Sequence, residues 1–265
     1  MKYDKIHLIY FSPTHTSARI ARAIAEGTGI TRVAVTDLTG SGVDRLPPLG
    51  EDVLTVLAAP VYGGRVAETA MERFAPLKGA GSPVITLVLY GNRDYEDALL
   101  ELTDFARQAG FVPVGAGAFV GEHSYSRPDL QMPLAEGRPD AADLAEARRW
   151  GRKCMEKLES LEKTDEWPVF SVKGHYPYKV KGPSTPAAPD VRDEACTACG
   201  HCCEVCPVSA VMQTTEGTVV TDKMLCIKCC ACVKECPEEA RYFDTPYTAM
   251  LFQHFKARRE PEVFM

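Results

Sequence analysis

Eight of the chain's 11 cysteines fall into two runs with a single spacing. The first is Cys196-Thr197-Ala198-Cys199-Gly200-His201-Cys202-Cys203-Glu204-Val205-Cys206-Pro207, and the second is Cys226-Ile227-Lys228-Cys229-Cys230-Ala231-Cys232-Val233-Lys234-Glu235-Cys236-Pro237. Both read C-x2-C-x2-C-x3-C-P. A cubane [4Fe-4S] cluster needs four thiolates at the corners of a tetrahedron; three close cysteines on a tight loop supply three, and the fourth comes from elsewhere. Zinc sites pair two short C-x2-C knuckles and have no use for a third cysteine, then a fourth before proline. Disulfides suit secreted chains, and the N-terminus Met1-Lys2-Tyr3-Asp4 leads into a β-like run, not a secretion signal. The spacing points to two [4Fe-4S] clusters.

Three cysteines are left over. With the runs superposed, Cys203 falls where the second has Val233, and Cys230 falls where the first has Gly200. Both read as small packing residues, as free cysteine commonly is. Cys154 lies on a helical apolar stripe with Leu144, Ala147, Gly151 and Leu158, which makes it a core residue as well.

With 265 residues and a cysteine-rich stretch confined to the C-terminal quarter, two domains are expected. The net charge of −6, with acids and bases interspersed, lacks the basic stripe of a nucleic-acid binder and suits an electron carrier that meets basic partners. No apolar run reaches the roughly 20 residues of a membrane helix. The expected compartment is a reducing cytoplasm, and the expected owner an anaerobe or microaerophile.

The first ~165 residues alternate strand-like and helix-like patterns, as in an α/β sheet with helices on both faces. Strands are expected at Ile6–Phe11, Val33–Val35, Val53–Ala59, Val84–Leu89 and within Phe111–Val120. Helices are expected at Ser17–Gly27, with Gly27 as the stop, at Tyr95–Ala109 and at Ala141–Leu161. From Trp167 to Val191 five prolines and two glycines make an extended linker, whose Phe170, Tyr176 and Tyr178 suggest that it lies against the surface. The tail from Pro246 carries a helix-like stretch, Thr248–Arg259, suited to packing between domains or onto a second subunit.

Three loops follow expected strands at their carboxyl ends, where open α/β sheets bind ligands. Ser12-Pro13-Thr14-His15-Thr16-Ser17 opens a helix with hydroxyls and no lysine, which suits a monoester phosphate held by neutral donors; an ordinary hydroxyl N-cap cluster looks the same. Pro60-Val61-Tyr62-Gly63-Gly64-Arg65 and Tyr90-Gly91-Asn92-Arg93-Asp94-Tyr95 offer aromatics to cover a flat ring and glycines that let backbone amides approach its edge. The plainer alternative for Tyr62, Tyr90 and Tyr95 is half-buried tyrosines capping the sheet. Together the loops favour a flavin.

On these motifs, residues 1 to about 160 resemble a flavodoxin and residues about 190 to 245 resemble a bacterial two-cluster ferredoxin. The whole chain resembles the family of fused flavodoxin–ferredoxin iron–sulfur flavoproteins. The resemblance implies a doubly wound, five-stranded parallel sheet in the order 2-1-3-4-5 over residues 1–165, a linker over 166–190, a small α+β ferredoxin domain over 191–245 and a helical tail over 246–265. It also implies that the fourth cysteine of each run serves the other cluster: Cys196, Cys199, Cys202 and Cys236 for one, and Cys226, Cys229, Cys232 and Cys206 for the other. The cofactors implied are two [4Fe-4S] clusters and a non-covalent FMN. The flavodoxin phosphate loop, [T/S]-x-T-G-x-[T/S], maps onto Ser12, Thr14, Thr16 and Ser17, with His15 where glycine is preferred. Tyr62 is then expected to flank the isoalloxazine, the 90–95 loop to meet its pyrimidine edge, and Gly121–Ser126 to lie near it.

The expected function is electron transfer between the clusters and FMN, serving a ferredoxin-type donor or an acceptor enzyme, with a homodimer possible. The alternative is an FMN-dependent reductase of a small substrate, fed by its own clusters, with Arg65, Arg93, His123 and Tyr125 as candidate substrate-side residues and one of them donating a proton. A cluster-bearing sensor without flavin would leave the three loops unused.

Overall fold

The structure is a computed structural model that describes residues 3–40, 48–160, 169–183 and 185–265. Its main sheet is built from β1 (Lys5–Tyr10), β2 (Arg32–Asp37), β3 (Val53–Tyr62), a short β4 (Arg65–Val66), β5 (Pro83–Tyr90) and β6 (Val112–Val120). The helices between them are α1 (Thr16–Thr28), α2 (Glu68–Phe74) and α3 (Ala98–Gln108), and α4 (Ala141–Ser160) follows β6. The five long strands lie parallel in the order β2-β1-β3-β5-β6, and β4 folds back on β3 as a hairpin. This is the flavodoxin-like doubly wound α/β arrangement. Every residue of β5 is buried, as are Val53 to Ala59 of β3, which is what a parallel strand covered on both faces requires. One face is sealed by Ile20 and Ile24 of α1 with Trp150 and Leu158 of α4, the other by Phe74 of α2 with Leu99 and Leu102 of α3.

Two expectations change here. Helix α1 does not stop at Gly27; it runs to Thr28 and is capped by Gly29 at φ 74°. Gly27 instead lets α4 come close, since a Cβ there would stand 2.1 Å from the Arg148 carbonyl oxygen. Gly151 does the same from the other side, 2.2 Å from the Ile24 carbonyl oxygen. The second correction concerns the tail. Beyond α7 (Tyr247–Phe255) it forms a strand that pairs antiparallel with β6, so the sheet gains an edge strand beyond the five expected.

The stretch from 169 to 183 has neither helix nor strand. It lies along α3: Asp97 accepts from the His175 and Lys179 amides (2.8 and 2.7 Å), Tyr178 donates to Asp104 (2.8 Å), and Phe170 and Val172 pack on the core. The expected helix end at Leu161 and linker start at Trp167 lie outside the described residues.

The cysteine-bearing stretch is built twice over. Strand β7 (Asp190–Val191) and helix α5 (His201–Glu204) precede a hairpin of β8 (Val211–Gln213) and β9 (Val219–Thr221), after which α6 (Ala231–Lys234) leads to β10 (Arg241–Tyr242) and then to the tail strand β11 (Glu262–Phe264). Left-handed backbone at Ala198, Gly200 and Ser209 recurs at Lys228, Cys230 and Glu239. The two halves are also cross-linked by matching bonds: the Arg192 amide to the Ala240 carbonyl and the Asp222 amide to the Ala210 carbonyl, both 2.8 Å. The halves therefore exchange partners about a pseudo-twofold axis, with β7 on β10 and β9 on β8.

Candidate functional site

The fold brings the cysteines together in two sets. Cys196, Cys199 and Cys202 line one cavity with Cys236 of the other run, closed by Val219, Pro237 and Arg241. In the second set, burial pushes the Cys229 thiol up to about 12, and Cys232, Cys206 and Cys226 add to the rise. Cys226 in turn feels Cys206, and Cys232 feels Cys226 and Cys206. Each set thus draws three residues from one run and one from the other. Among the described residues no three His, Cys, Asp or Glu side chains converge to hold a single metal ion. Thiolates of a cubane bind four different irons and surround a volume, not a point.

The first cavity contains a group that fits an anionic occupant. Arg241 is 4% exposed, has no carboxylate partner among the described residues, and keeps a buried Nε–H without an acceptor. A buried charge is costly unless compensated, and a thiolate-ligated iron–sulfur group bound there would supply that compensation.

The surplus cysteines take the places expected of packing residues. Cys230 is 1% exposed and caps α6 at φ 60°, where Gly200 caps α5 at φ 80°. Cys154 is fully buried between α4 and the sheet. Cys203 is half-buried against the small core formed by Cys202, Val211, Val219 and Cys232.

At the end of β1, Ser12 is buried and its hydroxyl accepts from the Ala18 amide (3.1 Å). Ser17, wholly buried in the first turn of α1, has a hydroxyl without a partner. An unsatisfied hydroxyl beside free helical amides fits a phosphate oxygen. His15 adopts φ 61°, the conformation for which glycine is preferred, and its Nε2 lies 3.1 Å from Glu235, next to Cys236.

The 60–65 loop divides. Tyr62 is half-buried, and burial, followed by Cys229, Cys230, Tyr125 and Cys226, holds its phenol well above the ordinary range. It thus stands between the sheet and the second cysteine set. Arg65 turns the other way, forking onto Glu101 (2.8 and 2.5 Å) and donating to the Lys179 carbonyl (2.7 Å). It clamps the linker and is removed from the substrate-side candidates.

The 90–95 loop departs from expectation. Tyr90 and Tyr95 are core residues, 3% and 1% exposed with ring centroids 5.4 Å apart, and Tyr95 donates to Glu262 of β11 (2.8 Å). Neither ring is placed to cover a ligand. Asn92 donates to the Phe255 and Ala257 carbonyls of the tail (2.5 and 2.7 Å), leaving a buried side-chain oxygen unpaired, and Arg93 pairs with Glu96. The sequence offered no sign of this, because the residues that cover the loop are some 160 positions away.

His123 and Tyr125 do meet at the site. Their rings lie 5.1 Å apart, the Tyr125 amide donates to His123 Nδ1 (2.9 Å), and Gly91 makes room for the imidazole, since a Cβ there would stand 2.3 Å from it. Burial, reinforced by Arg93 and Lys234, lowers the His123 imidazole to about 4. Burial and then Cys230, Cys226 and Tyr247 raise the Tyr125 phenol.

No family model and no curated protein matches the sequence. Solved structures match over part of the chain. An archaeal flavodoxin is 17% identical over 58% of this chain and 99% of its own, at a TM-score of 0.41. Flavodoxin 1 from Bacillus cereus is 15% identical over 60% and 99%, at 0.40. Rubredoxin oxygen:oxidoreductase from Desulfovibrio gigas is 12% identical over 59% and 36%, at 0.39. The fold assignment rests on the strand order itself, independent of these matches. Among the described residues no helix is long and apolar enough to cross a membrane.

Proposed function

We propose that the chain is an electron-transfer iron–sulfur flavoprotein. Its two [4Fe-4S] clusters are held by Cys196, Cys199, Cys202 and Cys236 and by Cys226, Cys229, Cys232 and Cys206. A non-covalent FMN is held at the 12–17 and 60–65 loops. The observation that carries this reading is the crossed grouping of thiols, with an uncompensated buried guanidinium beside the first set. When bound, the clusters exchange single electrons and the flavin can hold a pair.

The chain's own residues do the rest. Assembly strips protons from thiols that burial keeps neutral, Cys229 among them. Ser12 and Ser17 present hydroxyls at the start of α1 to a phosphate, and Tyr62 and Tyr125 stand near Cys226 and Cys230 of the second run. The partner is a redox protein that exchanges electrons with this chain.

The reductase reading has less support. Arg65 is committed to Glu101 and the linker, and a His123 that titrates near 4 is neutral at pH 7, so it accepts a hydrogen bond and is a poor proton donor.

Anaerobic purification with cofactor extraction tests the proposal. The expected result is one FMN and about eight irons per chain. Protein with about eight irons and no FMN overturns it, and so does protein that lacks both or holds zinc in place of iron.

A further inference from the structure

The internal repeat is broken at one position in a way the cysteines do not explain. Val211 opens β8 in the first half, and its counterpart opening β10 in the second half is Arg241. Both are 4% exposed. An apolar side chain is what a small core calls for, whereas a guanidinium carries a charge that proteins do not remove by deprotonation. Its hydrogen-bond partners are neutral or sulfur: Nη2 donates to Thr221 Oγ1 (2.6 Å) and the Pro189 carbonyl (3.1 Å) and approaches Cys232 Sγ (3.8 Å), while Nε donates to nothing. The same side chain lines the cavity of Cys196, Cys199, Cys202 and Cys236. Arg241 therefore lies between the two thiol sets, touching a ligand of one and walling the cavity of the other.

We infer that Arg241 is a shared electrostatic tuning residue, which raises the reduction potentials of both clusters. The inference rests on the cluster reading above. Reduction adds one electron, and so one negative charge, to a cluster; the electron comes from an external one-electron donor, and no proton or bond changes hands. A fixed positive charge in a buried, low-dielectric position stabilises the more negative state. Because a single guanidinium serves both sites, the two potentials are raised together. The side chain acts through the field it sets and through its contact with Cys232, not by holding iron.

The test is an anaerobic potentiometric titration of the wild-type protein, Arg241→Met and Arg241→Lys, followed by EPR and visible absorption with iron counted in each. Arg241→Met is expected to shift both cluster midpoints to more negative values and leave the FMN midpoint in place. Arg241→Lys, which keeps the charge, is expected to recover part of the shift. Arg241→Met with full iron and unmoved cluster midpoints overturns the inference, and so does an equal shift in both variants, which would indicate packing. If Arg241→Met fails to retain iron, a lysine variant holding about eight irons supports the charge requirement, and a lysine variant that is also empty overturns it. Wild-type protein without iron overturns the parent reading along with this one, and the wild-type iron count alone tells that failure apart.

Discussion

Positions 200 and 230 share a backbone conformation but not a residue type: glycine at φ 80° in one half, cysteine at φ 60° in the other. A side chain in the left-handed region costs roughly 1–2 kcal/mol, so Cys230 gives up stability that Gly200 does not, and regains part of it by burying its thiol. If it and Cys203 are packing residues, the double variant Cys203→Val and Cys230→Gly, which copies each half onto the other, keeps about eight irons. Loss of about half the iron would make one of them a ligand. The two thiol sets were legible in the sequence because the cluster chemistry proposed for them dictates their spacing. Arg241 was not, because a lone arginine after a cysteine run says nothing until the fold buries it without a carboxylate partner among the described residues. The same holds for Arg65, whose fork onto Glu101 and the linker is decided by the packing of the β4 hairpin on α3.

Among elements, the long strands and helices were readable and the short ones were not. Strands β1, β3, β5 and β6 announced themselves as apolar runs, and α4 as a 3.6-residue stripe. Helix α2 and strands β4 and β11 escaped, since two to seven residues are too few for a period to show and their pairing is imposed by an available edge or face. Gly27 illustrates a different failure: a glycine near a helix end reads as a stop, but its role is to let another helix approach. The α1–α4 contact depends on that approach. Gly151→Ala would set a Cβ 2.2 Å from the Ile24 carbonyl oxygen, and overpacking of this kind is expected to destabilise the protein by about 1–3 kcal/mol. Chemical unfolding of the variant followed by far-UV circular dichroism measures it, and an unchanged midpoint would mean that the helices have room to separate.

For the whole molecule, the placement of the cysteine-bearing part against the sheet was beyond sequence reasoning, since it is set by contacts between distant residues. Ile227 packs on the core on the α2 and α3 side, His15 reaches Glu235 (3.1 Å), Lys234 pairs with Glu122, Arg73 donates to the Pro207 carbonyl, and Thr248 donates to the Tyr125 carbonyl (3.1 Å). The second thiol set lies beside Tyr62 and Tyr125, with Cys229 and Cys232 8% and 7% exposed; in the first set Cys202 is 8% exposed but Cys199 is exposed. Brief anaerobic chelation followed by alkylation and mass mapping is expected to label Cys196, Cys199, Cys202 and Cys236 before Cys206, Cys226, Cys229 and Cys232. The reverse order would place the second set outermost.

Strand β11 gives this arrangement a further consequence. The polypeptide leaves the sheet after α4, builds the cysteine-bearing part, and returns to lie against β6, with Glu262 facing Ala118 and Phe264 facing Ala116. The cysteine-bearing part is therefore moored to the sheet by both of its ends and does not hang from a single tether. A body held at both ends has no single hinge about which to swing. On the function proposed above, the gap between the clusters and the flavin would then be set by the fold.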